Sequence, residues 1–338
     1  MKRRDFIRIS GTLAASLIWP RTAFANDLRV ITVNGPIASH KMGNTLEHEH
    51  ILVDFIGADQ YDPSRWDREE VASQLLPYLK ELKNLGCNTL IECTPAYLGR
   101  DVQLLKDLSQ QSGLHIITNT GFYGARDNKY IPEFAFEAST QELADIWIKE
   151  FEQGIDGTSV RPGFLKISVN PGPLSELHQK LVRAASITHL RTGLTIASHT
   201  GPALPAFEEL EILYQEGVHP SAFVWIHAQN EEDKSNYLKA AKMGAWISLD
   251  GLDETRLEEY IEMVYMMKKE GFLHKTLISH DGGWYEPGKH WEGPIRKYTV
   301  LYRQFRPKLL EQGFSEEDTD LLFKNNPQKA FAIQIRKA

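Results

Sequence analysis

The chain has 338 residues, of which 42% are hydrophobic and 25% charged, a globular balance with ample material for a large core. Its formal charge is −7; the first 25 residues hold five basic residues and one acidic, leaving about −11 for the remainder. That balance speaks against a nucleic-acid or anionic-membrane partner.

The N-terminus opens with the basic stretch Lys2-Arg3-Arg4-Asp5-Phe6-Ile7-Arg8. A short apolar run over 11–19 and an A-x-A site at Ala23-Phe24-Ala25 follow. "RRDFIR" resembles a twin-arginine export signal, and the apolar run is shorter than the roughly 20 residues a membrane helix needs. Residues 1–25 are therefore expected to be removed, leaving a periplasmic or secreted protein with no membrane anchor. Residues 26–338 are expected to form a single barrel domain.

Beyond the leader, a hairpin is expected over 30–37, turning at Asn34-Gly35. Short apolar runs then alternate with long amphipathic ones. The short runs lie at 45–53, 88–94, 114–120, 163–169, 194–199, 223–227, 244–249 and 275–281, and suit strands buried on both faces. Helical periodicity marks 68–85, 231–243 and 254–271, and Gly86, Gly113, Gly193, Gly217 and Gly271 stand where helices should end. Eight strands interleaved with helices predict an α/β fold, a (β/α)8 TIM barrel preceded by the hairpin. The competing doubly wound sheet would normally advertise a glycine-rich nucleotide loop, and none follows any strand. Cys87 and Cys93 are the only cysteines. Six residues along a strand separate them by roughly 20 Å, against the roughly 5.5 Å of a disulfide, so both are expected as free, buried thiols.

Barrel enzymes place their chemistry at the carboxyl ends of the strands. In this chain those ends carry His48 and His50 in "LEHEHILVDF", Lys166 in "GFLKISVN", His199 in "TIASHTG", His227 in "FVWIHAQN" and His280-Asp281 in "LISHDGGW". Residues two apart on a strand share a side, so His48 and His50 can face the barrel axis together and hold one metal ion. Glu47 and Glu49 are then expected to turn toward the helical layer, where they must be paired or hydrogen-bonded. His48, His50, His199 and His227, with Lys166 and Asp281, at one end of a barrel point to a metal site rather than to packing.

The same segments resemble the phosphotriesterase family of the amidohydrolase superfamily, which includes phosphotriesterase-like lactonases. "NGPIASHKMGNTLEHEHI" is similar to the family's entry into its first barrel strand. "LGRDVQLLKDLSQQSGLHIITNTGFY" is similar to its second-to-third strand segment. "GFLKIS", "SHTG", "SHDGGW" and "NNPQKAF" follow in order, so the resemblance covers nearly all of residues 30–332. It implies two divalent metal ions, zinc in the first place, with cobalt or manganese as substitutes. His48, His50 and Asp281 would hold the buried ion and His199 and His227 the more exposed one. Lys166, carboxylated by carbon dioxide, would bridge them together with a hydroxide. That hydroxide would attack the substrate, with Asp281 taking its proton. A salt-bridged Lys166 inside the barrel is the alternative.

The resemblance also implies a pocket role for Tyr123, which otherwise is a packing residue. The long segment after the last strand offers Trp284, Tyr285 and Trp291 as pocket walls or as loop packing. Three departures from the family pattern bear on substrate choice: His227-Ala228-Gln229 in place of His-x-Asp, Asp250-Gly251 in place of Asp-Arg, and Glu47 before His48. The expected function is an exported hydrolase of a cyclic or activated ester, a lactone first. A phosphoester or phosphotriester hydrolase and a non-catalytic metal- or ligand-binding protein are the alternatives. The expected partners are a small-molecule ester or lactone and, at most, a second copy of the chain.

Overall fold

The computed structural model of the chain describes residues 28–289 and 295–338. The leader over 1–25 and Trp291 lie outside the described residues. β1 (Arg29–Thr32) and β2 (Gly35–Ala38) pair antiparallel with Thr32 opposite Gly35. The turn is thus centred on Val33-Asn34, one residue earlier than its Asn-Gly signal suggests. Thr32 Oγ1 tightens it by donating to the Gly35 carbonyl.

The parallel strands are β3 (Thr45–Glu49), β4 (Thr89–Glu92), β5 (His115–Ile117), β6 (Asn119–Thr120), β7 (Phe164–Ser168), β8 (Thr195–His199), β9 (Phe223–Ile226), β10 (Trp246–Leu249) and β11 (Thr276–Ile278). They pair in chain order, β3-β4-β5 and β6 through β11. β5 and β6 are two halves of one strand broken at Thr118. Closure comes from two backbone hydrogen bonds, Asp281 N to the His48 carbonyl and His50 N to the Gly282 carbonyl, with a parallel bridge between Glu49 and Gly282. The described strands therefore make an eight-stranded barrel without a free edge, as expected from the alternation of runs.

Helices follow the strands: α1 (Arg68–Asn84), α2 (Val102–Ser112), α3 (Phe134–Glu137), α4 (Thr140–Gln153), α5 (Glu176–Thr192), α6 (Ala203–Gln215), α7 (Ser235–Met243) and α8 (Leu257–Lys269). In α1, Asp67 caps by accepting from Glu70 N, and Val71, Leu75, Leu79 and Leu82 bury one face. Each buried side chain contributes about 2 kcal/mol relative to exposure. α7 and α8 start later than their periodicity suggests. Asp233 accepts from Ser235 N, and Asp253 from Thr255 N and Arg256 N, so side chains satisfy the backbone that would have begun each helix.

The core lies in two layers. A large one fills the space between strands and helices. A smaller one fills the amino end of the barrel with Val30, Ile91, Ile117, Phe164, Val224, Trp246, Leu277 and Phe331. Phe331 comes from α11 (Asn326–Phe331), the last of three short helices after α9 (Arg306–Glu311) and α10 (Glu316–Asp320). Its ring meets Phe164 edge-on at 5.5 Å between centroids. Both cysteines are free and buried. Among the described residues no helix is long and apolar enough to cross a membrane.

Gly121, just past β6, has φ +132°, and a Cβ there would sit 2.0 Å from the Lys166 carbonyl oxygen. Gly121→Ala should therefore cost at least about 3 kcal/mol, read as a lowered Tm; a variant as stable as the parent would contradict the close approach.

Candidate metal centre

The carboxyl end of the barrel collects the side chains singled out from the sequence. His48, His50, Tyr123, Lys166, His199, His227, Asp281 and Trp284 line one cavity of ≈60 Å³, together with Val53, Phe55, Leu98 and Arg126. His50 Nε2 lies 3.0 Å from Asp281 Oδ1, and His48 Nε2 lies 3.7 Å from the same oxygen. Lys166 Nζ is 3.3 Å from His48 Nε2. The His199 and His227 rings meet edge-on at 4.3 Å, and His48 and His227 are 5.1 Å apart.

Alternation on β3 is broken by a bulge. Leu46 pairs with Leu90 but Glu49 with Glu92, so β3 carries one extra residue in between. This corrects one expectation. Glu49 is bonded to the segment after β11, accepting from Ser279 Oγ, His280 N, His280 Nδ1 and Gly282 N. Glu47 does not turn to the helical layer. Its carboxyl lies inside the barrel, with Oε1 hydrogen-bonded to Ser248 Oγ at 2.5 Å. Burial pushes that carboxyl well above the usual range, and the Asp250 charge adds to the effect.

The residue that organises the site is Asp250, which in the sequence merely precedes the departure at Gly251. Its Oδ2 accepts from His48 Nδ1 (2.8 Å), His227 N (3.1 Å) and Ser248 Oγ (2.8 Å). Its Oδ1 accepts from His227 Nδ1 (2.6 Å) and Gln229 Nε2 (2.9 Å). A carboxylate only accepts, so both histidines carry their proton on Nδ1 and turn an unprotonated Nε2 toward the cavity when neutral. Burial, followed by the Lys166 charge, holds His48 down to about 3, so its ring is neutral. Burial also holds His199 well below its ordinary value, with His227 adding to it. For His227 burial acts downward, but the Asp250 carboxylate outweighs it and the net shift is up. Asp250 itself is held well below the carboxylate range: burial opposes this, and the two imidazoles prevail.

Two groups of side chains have ligand atoms close enough to share a cation: His48-His50-Asp281 and His48-His227-Asp250. The second is a hydrogen-bond platform. Five donors already occupy the roughly four lone-pair sites of the Asp250 carboxylate, so no acceptor is left for an ion. The first group fits a divalent cation, because imidazoles held through one nitrogen by an outer partner are the usual form of metal-ligating histidine. His50 has such a partner in Thr94 Oγ1, 2.8 Å from its Nδ1. Tyr123 Oη lies 3.0 Å from His199 Nδ1 and 3.2 Å from its Nε2.

Strain concentrates in the same place. His227, Asp281 and Trp284 have φ of 60°, 54° and 72°. Left-handed backbone costs a residue other than glycine about 1–2 kcal/mol, and such residues persist where surrounding contacts over-determine them. Trp284 faces the cavity, edge-on to His50 at 5.7 Å between centroids. Tyr285, expected as a pocket residue, belongs instead to the layer between barrel and helices. Its backbone is bridged to Leu52, and the left-handed φ at Trp284 separates the directions of the two neighbouring side chains. His280 is structural: Nδ1 donates to Glu49 and Nε2 accepts from Leu301 N at 3.0 Å.

Two of the three departures acquire a reason. Gln229 and Asp250 form a reciprocal pair, since Asp250 N also donates to Gln229 Oε1. At Gly251 a Cβ would meet Tyr260 Oη at 2.8 Å and Gln229 Nε2 at 2.9 Å, so the Gln229 arrangement excludes a side chain there.

A closed barrel whose histidines converge with an aspartate and a buried lysine at the strands' carboxyl ends defines a metal-dependent hydrolase. Comparison with known proteins agrees. The model of the phosphotriesterase family matches residues 28–331. The chain is 30% identical over 303 residues to the phosphotriesterase homology protein of Escherichia coli K12, covering 86% of this chain and 98% of that protein. It is 29% identical over 307 residues to the aryldialkylphosphatase of Saccharolobus solfataricus, covering 88% and 97%. It is 26% identical over 353 residues to the N-acetyltaurine hydrolase of Rattus norvegicus, covering 89% and 97%. The chain belongs to the phosphotriesterase family.

Asp250→Asn replaces an acceptor with a donor facing two imidazole N–H groups. It should weaken divalent-metal affinity by about 10–100-fold in chelator competition, and affinity within twofold of the parent would contradict the orienting role. Behind β8, Glu209 on α6 is hydrogen-bonded to Ser198 Oγ (2.5 Å) and Thr200 Oγ1 (2.6 Å), on either side of His199. Burial pushes its carboxyl up from 4.5 to about 8. A raised folded value means that stability is whole below pH 4.5 and is lost as pH climbs toward 8, by about 5 kcal/mol at most. Glu209→Gln should flatten that region of the Tm-against-pH curve; an unchanged slope between those limits would contradict a buried, protonated Glu209.

Proposed function

We propose that the chain is a binuclear metal-dependent hydrolase of a cyclic or activated ester, with a lactone as its substrate. One observation carries the reading: His48, His50, Lys166, His199, His227 and Asp281, from the ends of five strands, face one small cavity. His48, His50 and Asp281 would hold one ion, and His199 and His227 the other. Bound divalent ions, zinc first and cobalt or manganese as substitutes, supply Lewis acidity toward water and toward the substrate's carbonyl oxygen.

The chain's own residues supply the rest. Asp281 has Oδ1 3.0 Å from His50 Nε2 and Oδ2 3.8 Å from Arg296 Nη1, so Oδ2 is the less engaged oxygen to accept the proton of the attacking water and return it to the leaving alkoxide. Lys166 is 1% exposed, and among the described residues its Nζ meets His48 Nε2 and no carboxylate within ion-pair reach. A neutral amine there can add carbon dioxide and release a proton, becoming an anionic carbamate suited to lie between two cations. Phe55, Leu98, Tyr123 and Trp284 give the narrow apolar wall that holds an acyl group or ring and excludes bulk water.

A phosphoester or phosphotriester substrate is the second reading, favoured by the likeness to the aryldialkylphosphatase. Export through the twin-arginine-type leader belongs to the same proposal, and recovery of the full-length chain from the cytoplasm alone would contradict it.

A panel of lactones and aryl phosphotriesters separates the two substrate readings. The kcat/KM for the best lactone should exceed that for the best phosphotriester by at least about tenfold, and the reverse order favours the phosphoester. On the same panel Lys166→Ala should lose about 100-fold or more in kcat and regain some of it with added short carboxylates; undiminished turnover would remove Lys166 from the site.

A further inference from the structure

We propose that this site selects a substrate carrying an anionic group, a carboxylate or sulfonate, a few bonds from the bond it hydrolyses, and that Arg126 is the residue that selects it. The inference rests on the hydrolase reading above and narrows its substrate class.

The cavity that holds the histidines measures ≈60 Å³. On that measure one water takes about 10–15 Å³, so the cavity holds a few water-sized groups and the remainder of a longer substrate lies at the mouth. Phe55, Arg126 and Trp284 line that mouth. The Arg126 side chain is exposed, with its guanidinium 5.7 Å from the Phe55 ring centroid. Among the described residues no carboxylate pairs with it. The neighbouring acidic groups are engaged elsewhere: Asp54 with Arg65, Glu286 with Lys289, and Asp127 with Asn170. Across the mouth, Arg296 is already committed, with Nη1 3.3 Å from the Asp281 carbonyl oxygen and its guanidinium 4.2 Å from the Trp284 ring centroid. Among the described residues that line the cavity, the uncommitted positive charge at the entrance is Arg126.

The backbone that carries it is unusual. Arg126, Asp127 and Asn128 have φ of 56°, 55° and 63°, three successive left-handed residues with no glycine among them. L-residues disfavour that conformation, and runs of it are rarer than single instances. Here it is fixed from several sides. Ala125 N donates to Ser168 Oγ (2.8 Å) at the end of β7, Asp127 N donates to Asn170 Oδ1 (3.2 Å), and Asn128 N donates to the Gly124 carbonyl (3.2 Å). His178 Nε2 lies 3.0 Å from both the Gly124 carbonyl and Asn128 Oδ1. A strained turn tied to the strand that bears Lys166 fixes the position of Arg126 relative to the centre. From that anchored backbone the guanidinium rests over the Phe55 ring and presents its donors as a fork suited to two oxygens of a carboxylate or sulfonate, and a neutral lactone or triester has no group that uses it.

The test uses the metal-loaded protein and two 4-nitrophenyl monoesters of adipic acid, one with the distal carboxylate free and one with it methylated. The scissile bond is the same in both. The free acid should have a kcat/KM at least about tenfold higher, and added salt should shrink the difference. Arg126→Asn suits a left-handed position while removing the charge. It should bring the ratio of the two to within about twofold of one, and Arg126→Gly, which meets no penalty at positive φ, serves where the Asn variant does not fold. Calorimetric binding of butane-1-sulfonate gives a readout independent of turnover, and it should weaken about tenfold or more in either variant. Chelator-sensitive hydrolysis of both esters with no preference for the acid overturns the anion subsite and leaves the hydrolase reading standing. Absence of hydrolysis, with sulfonate binding that depends on Arg126, does the reverse. Sulfonate binding that is absent or indifferent to Arg126 overturns the proposal in either case.

Discussion

The Asp250 carboxylate is the constraint on which the centre depends. One buried anion accepts from the Nδ1 of both His48 and His227, and in doing so sets the tautomer and ring plane of two side chains drawn from β3 and the end of β9. Its own orientation is over-determined by Ser248, Gln229 and the His227 amide. Charge-assisted hydrogen bonds in a dry interior are strong, and leaving any one of these donors unpaired would be costly. The arrangement therefore has one low-energy form, in which both Nε2 atoms face the cavity. Glu49 has a similar role beside the last strand, fixing Ser279, His280 and Gly282 so that Asp281 projects inward from a left-handed backbone.

The two ends of the barrel divide the work of the fold. At the amino end the interior is apolar, and the hairpin and α11 close it with Val30 and Phe331. Arg336 ties the last strandless residues back to Thr195 and to the carbonyls of Lys329, Ala330 and Ala332. At the carboxyl end the interior turns polar, strand regularity gives way to a bulge and positive φ angles, and the buried charges lean on one another. Stability is drawn from the first end and chemistry from the second, as in barrels generally.

Much of this was legible in the chain itself. Buried parallel strands announce themselves as short apolar runs, and a histidine, lysine or aspartate closing such a run is visible at once; His48, His199 and Asp281 are examples. The bulge in β3 was not legible. It depends on how Leu46 and Glu49 register against β4, a pairing no local pattern encodes, and it sends Glu47 inward against simple alternation. Asp250 stood in plain view at the end of "WISLD", but its importance lies in partners 23 and 202 positions away, which only the closed barrel brings to it. Tyr285 and Trp284 sit side by side in an aromatic stretch, and which of them faces the cavity follows from a left-handed φ at Trp284 that its residue type does not suggest. Helix starts at Ser235 and Leu257 moved because Asp233 and Asp253 captured backbone amides, a competition that periodicity does not register.

The convergence of these six side chains on bound metal is tested most directly by anomalous diffraction at a metal absorption edge, on crystals of the zinc-loaded protein. Two peaks per chain are expected within the cavity, one beside His48, His50 and Asp281 and one beside His199 and His227, with continuous density joining them to an extended Lys166 side chain. A single peak, peaks at surface carboxylates only, or a Lys166 side chain turned away from both would contradict the account.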